Sequence, residues 1–103
     1  MPTDNLIKSM LEEELDRNLR AQKAYKALVG TLPKGSIKVM RRNKKAYCYL
    51  RYRVGNKVKT DYAGKADVVE VELREKIAQR NTAMQELRQL KKEQLYIEKA
   101  LKK

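Results

Sequence analysis

The sequence has no histidine, tryptophan or phenylalanine, and only one cysteine and two prolines in 103 residues. Without histidine there is no imidazole base, no Ser-His or Cys-His pair and no histidine metal ligand. Cys48 alone makes neither an internal disulfide nor a thiolate zinc site, and it fits a reducing compartment. The only aromatics are six tyrosines, which argues against a large aromatic ligand pocket. No apolar run approaches the roughly 18 residues of a membrane-spanning helix. The start, Met1-Pro2-Thr3-Asp4, lacks the basic-then-apolar pattern of a secretory leader. Acid is also scarce, with 13 Asp+Glu against 25 Lys+Arg and a net charge of +12. The expectation is one soluble, cytoplasmic domain over 1–103. It is basic, is not an enzyme, needs no cofactor or metal, and has no membrane partner.

The charge is unevenly placed. Residues 1–30 carry five basic and five acidic side chains. Residues 31–65 carry eleven basic side chains and one acid, Asp61. Residues 66–103 carry nine basic and seven acidic side chains. The excess therefore belongs to the middle third, between two charge-mixed flanks of the kind that solvated helices show.

Both flanks read as helices. Over 3–29, Thr3 or Asp4 is a candidate cap. Ile7, Leu11, Leu15 and Leu19, with Leu6, Met10, Ala21, Tyr25 and Leu28, form one apolar stripe. Gly30 and Pro33 are the stop signals. Over 67–102, Asp67 and Glu70 resemble a capping box. Leu73, Ile77, Met84, Leu87, Leu90, Ile97 and Leu101 recur at threes and fours, with Arg80 and Gln94 interrupting the seam. The two helices would be about 40 and 54 Å long. A single stripe on each predicts an antiparallel coiled-coil-like pair. The surplus length of the second predicts a homodimer through the helices.

Between the helices the period changes to two. Ser36 to Arg41 alternates, Arg42-Asn43-Lys44-Lys45 is a polar turn, and Ala46 to Val54 is rich in strand formers. Gly55-Asn56 is a hairpin signal, and Lys57 to Tyr62 completes a three-stranded antiparallel meander. The fold class is α+β, in the order α–βββ–α, with a basic meander spanning 34–65. Two registers compete. A two-residue turn pairs Tyr49 with Tyr62 and Arg53 with Val58; a three-residue turn through Lys57 pairs Val54 with Val58 and Leu50 with Tyr62. The preferred facing puts Cys48, Leu50 and Tyr52 inside.

That facing sets Tyr47, Tyr49, Arg51 and Arg53 together on the outside. Lys34, Lys38, Arg41, Arg42, Lys44, Lys45, Lys57 and Lys59 lie on neighbouring strands and in turns. Crowded like charges repel, and an anionic partner offsets that cost. Nucleic acid, DNA or RNA, is the expected partner, because each neutralised phosphate releases a counterion and tyrosine can stack on an unpaired base. Arg41, Arg42, Arg51 and Arg53 are the leading candidates. The competing explanation is that strand-edge Lys and Arg merely prevent aggregation. Leu32-Pro33-Lys34-Gly35-Ser36 lacks the spacing of a phosphate-binding P-loop.

Leu32-Pro33-Lys34-Gly35-Ser36-Ile37, the run Tyr47 to Lys59, and Tyr62-Ala63-Gly64-Lys65 together resemble a group of small uncharacterised bacterial and archaeal proteins. That group looks like companions of phages, transposons and other mobile elements. The meander also looks like the arm-type DNA-binding domain of tyrosine recombinases, an architectural likeness only. The resemblance carries over no activity; joined to the basic, tyrosine-bearing meander, it makes a nucleic-acid-binding accessory protein of a phage or mobile element the expected function. The alternative is an anti-CRISPR-type inhibitor or coiled-coil adaptor that binds a host or defence-system protein, or a guide-RNA ribonucleoprotein.

Overall fold

A computed structural model describes residues 2–102, and side chains over 5–102. The elements are α1 (Pro2–Thr31), β1 (Ser36–Arg42), β2 (Lys45–Val54), β3 (Lys57–Lys65) and α2 (Ala66–Leu101). This is the α+β order read from the sequence. The chain divides into two compact units, Met1–Gly30 with Thr82–Lys103, and Thr31–Asn81.

In the helical unit the chain passes through Gly30 as helix and leaves it at Thr31. Pro33, not Gly30, is therefore the stop, since proline biases its predecessor away from helical angles. The caps expected at Thr3 or Asp4 rest on side chains outside the described residues. Thr31 is four residues from Gly35, at most about 14 Å of chain, and Gly35 borders the same hollow as Asn81. The end of α1 is thus held near Thr82, whereas the far end of α2 lies about 30 Å beyond. The two segments run antiparallel.

Their facing rows are Leu11, Leu15, Asn18, Gln22, Tyr25 and Val29 on α1, and Ala83, Leu87, Leu90, Gln94, Ile97 and Leu101 on α2. Both alternate steps of four and three, the coiled-coil spacing. The α1 row differs from the apolar stripe expected there. Leu6, Ile7, Met10, Leu19 and Leu28 are 62, 52, 57, 44 and 37% exposed, while Asn18 and Gln22 are each 5% exposed. Polar residues hold the seam because they satisfy one another. Gln22 Nε2 donates to Asn18 Oδ1 and to Gln94 Oε1, both at 2.7 Å, and Asn18 Nδ2 donates to the Leu90 carbonyl at 2.8 Å. Gln94, an interruption when read as hydrophobic pattern, is the partner that Gln22 requires.

The sheet unit holds the meander in the order β1-β2-β3 and the first turns of α2. The β1–β2 turn is Asn43-Lys44, with φ of 50° and 68°, and it closes on the Arg42–Lys45 pair. Two successive left-handed residues match the twist of a tight hairpin. The β2–β3 turn is Gly55-Asn56, closing on Val54–Lys57. The register is thus the two-residue alternative, with Tyr49 opposite Tyr62 and Arg53 opposite Val58. A bulge follows, because Cys48 faces Gly64 and Ala63 is the extra residue.

The expected facing is observed. Cys48 is fully buried and Leu50 and Tyr52 are half-buried, on the side that α2 covers. Ile37, Arg74, Ile77 and Ala78 line one hollow there, and Ala63, Val69 and Leu73 line another. Gly64, at φ 138°, lies so close that a Cβ would sit 2.9 Å from Val69 Cγ1. The first turns of α2, in the same unit as the meander, therefore cover the sheet. Asp67 falls within the first turn of α2, and Glu70 bonds Arg74 at 3.1 Å rather than closing a capping box.

Candidate nucleic-acid interface

Alternation along β2 and the cross-strand pairs assign each meander side chain to a face. The face turned away from α2 carries Tyr47, Tyr49, Arg51 and Arg53 of β2, paired with Met40, Lys38 and Ser36 of β1 and with Lys65, Tyr62, Thr60 and Val58 of β3. The Arg42–Lys45 pair closes one end of it. Lys38, Arg42, Lys45, Arg51, Arg53 and Lys65 are all exposed. Among the described residues the strands place no carboxylate on this face, and Asp67 of α2 borders a hollow with Lys45 and Lys65 at its end. Asp61, the one acid of residues 31–65, lies on the Cys48 face, where it accepts a 2.6 Å hydrogen bond from the Tyr52 hydroxyl.

Seven of the twelve residues singled out from the sequence meet on the Tyr49 face: Lys38, Arg42, Lys45, Tyr47, Tyr49, Arg51 and Arg53. Arg41, Lys57 and Lys59 do not, since they pair with Ala46, Val54 and Tyr52 on the Cys48 face. Lys34 is also separate, with its ammonium 5.8 Å from the centre of the Tyr52 ring. Lys44 sits in the tight turn and borders a hollow with Lys45, Lys65 and Asp67. Of the four leading arginines, three share the face and Arg41 opposes them.

Sequence reasoning missed Tyr62, Asn43 and Lys65. Tyr62 lies beside Tyr49, ring centres 5.5 Å apart and planes 59° tilted, and beside Tyr47 at 6.3 Å and 51°. Such tilted contacts set the edge of one ring against the face of another. Arg42, Asn43 and the three tyrosines line an open hollow of about 380 Å³. The signal for Tyr62 was the two-residue Gly55-Asn56 turn, which by itself fixes the Tyr49–Tyr62 pair.

Two groups on the Cys48 face have shifted acidities. Burial pushes the Cys48 thiol above its ordinary value of 9.0, with a smaller upward push from Glu70 and an opposing one from Arg74. The Tyr52 hydroxyl is raised above 10.0, chiefly because Asp61 accepts its proton in a hydrogen bond, then by desolvation and the Asp61 charge. A raised thiol within a packed face is a small apolar filler, not a nucleophile.

Among the described residues no helix is long and apolar enough to cross a membrane. Residues 10–73 match a family described as a domain of unknown function, DUF6788. The matched stretch includes Asn18, Gln22 and the whole meander. No curated protein and no solved structure matches the chain.

Proposed function

The chain belongs to the DUF6788 family, and from its geometry we propose that it is a small non-enzymatic nucleic-acid-binding protein that grips the phosphate backbone with the Tyr49 face of its sheet. One observation carries this reading. Six exposed cations and three clustered tyrosines share a face to which the strands contribute no carboxylate, while Asp61 is held on the opposite side. Prevention of aggregation requires charge on strand edges, but it does not require the only acid to be excluded from one face. Arginine forks suit phosphate oxygens, and Arg51 and Arg53 follow one another on the same face of β2. A cytoplasmic setting and an accessory role in a phage or mobile element belong to the same proposal, the latter on the sequence resemblance alone. Leu6, Ile7 and Met10, each more than half exposed on α1, favour the dimer as its oligomeric form.

Titration of fluorescent DNA and RNA across a salt series tests the reading. About five phosphate contacts give a slope of log affinity against log salt near −4. Affinity indifferent to salt contradicts it. A partner protein captured equally before and after nuclease treatment supports the inhibitor or adaptor reading instead.

A further inference from the structure

We infer that the hollow at Tyr62 is a binding site for an unpaired nucleotide, so that the protein takes single strands in preference to duplexes. This rests on the reading of the Tyr49 face as a nucleic-acid surface and adds a ligand class and a site to it. Tyr62 is 59% exposed although it touches two other rings. Tyr49 and Tyr47 hold it from the sides by tilted contacts, which fixes the ring and leaves aromatic surface open to solvent. An exposed ring of fixed orientation is a stacking platform that loses little freedom when a base lands on it.

The other lining groups complete what a nucleotide needs. Arg42 brings a guanidinium for the phosphate, and Asn43 brings an amide able both to donate to and accept from a base edge. Asn43 is held in the tight turn at φ 50°, the left-handed region that asparagine tolerates well. The hollow, about 380 Å³, falls in the size range of small-ligand sites. Three tyrosine rings, one guanidinium and one amide line it. In a duplex the base faces are already stacked on one another, so a duplex offers this surface phosphates and groove edges but no free base face. A single strand presents phosphates and base faces together, and it meets both halves of the site.

The experiment compares the native chain with Tyr62→Leu and Tyr62→Phe on four probes of equal length: oligothymidylate, oligouridylate, an abasic sugar–phosphate strand and a duplex. The expected result is an about tenfold loss of affinity for Tyr62→Leu on the base-bearing single strands, with the abasic strand and duplex unchanged and Tyr62→Phe close to native. The tighter of the DNA and RNA strands identifies which source the site takes. Equal effects on all four probes, or none on any, overturn the nucleotide site while leaving salt-dependent backbone binding in place. Absence of salt-dependent binding to every probe removes the underlying reading and the site with it. Circular dichroism of the three proteins, expected to be superimposable, shows that an exposed side chain was changed without loss of fold.

Discussion

In the helical unit Asn18 and Gln22 lie at 5% exposure in the middle of a seam, joined to Gln94 and to the Leu90 carbonyl. In the sheet unit the buried centre is the small apolar Cys48, and the polar groups crowd one outer face. The first arrangement uses polarity to fix a register. A fully satisfied amide cluster penalises any slip that would separate its members, as single polar seam positions do in coiled coils. The second arrangement uses the sheet as a partition. Its one strand acid, Asp61, and its buried Cys48 lie towards α2, and six of the eleven cations of residues 31–65 share the other side. The difference teaches that polar residues in this chain have two jobs, internal alignment and external recognition, and that burial tells them apart.

The sharpest way to break the sheet side of this comparison is Gly35→Ala. At φ 109° the glycine sits against the Arg51 carbonyl, and a Cβ there has no room. A loss of about 3 kcal/mol is expected in urea unfolding, because the obstacle is backbone and cannot swing aside. On the helical side, Gln22→Leu should cost about 2 kcal/mol, since it takes the Gln22 donor from the buried Asn18 Oδ1 and the half-buried Gln94 Oε1. The triple variant Asn18→Leu, Gln22→Leu, Gln94→Leu should recover that loss and give a broader distribution of oligomers in sedimentation. Failure of the triple variant to recover would mean that packing shape, not amide pairing, sets the seam.

Smaller effects sharpen the comparison. Lys44→Gly should stabilise the chain by about 1 kcal/mol, because lysine holds a left-handed φ of 68° that glycine adopts freely. Alkali should act on the sheet unit through Cys48 and Tyr52. Both pKa values are raised in the folded chain, so the folded state retains protons that the unfolded chain releases first. Their stabilisation is complete below the ordinary values of 9.0 and 10.0 and falls as pH rises through the folded ones. Chemical unfolding at pH 7 and above pH 10 reads this, and Tyr52→Phe should flatten part of the decline.

Much of the architecture was legible in the sequence. The switch of period from 3.6 to 2 marked the meander, and Gly55-Asn56 marked its second turn. Which face Tyr49 takes was legible from Cys48, Leu50 and Tyr52. The α1 seam was not, because a search for apolar side chains passes over Asn18 and Gln22. Their burial depends on Gln94, some seventy residues away. The cover over the sheet was hidden for a related reason. Helix length was legible, but α2's apolar row runs on from Leu73 to Leu101 past the interruptions at Arg80 and Gln94, and neither by itself shows where it changes partner. In the site, counting cations could not separate Arg41 from Arg42, or Lys57 and Lys59 from Arg51 and Arg53. Only the register divides them.

That division is also where the account is most directly tested. Two double variants remove the same charge from opposite faces of one sheet: Arg51→Ala with Arg53→Ala, and Lys57→Ala with Lys59→Ala. Single-strand affinity is measured for each across a salt series. For the arginine pair an about tenfold loss and a slope shallower by about 1.4 are expected, with a clearly smaller change for the lysine pair. Equal losses for the two pairs would contradict it, because the charge would then act as a bulk property of the meander and not as a surface on its Tyr49 face.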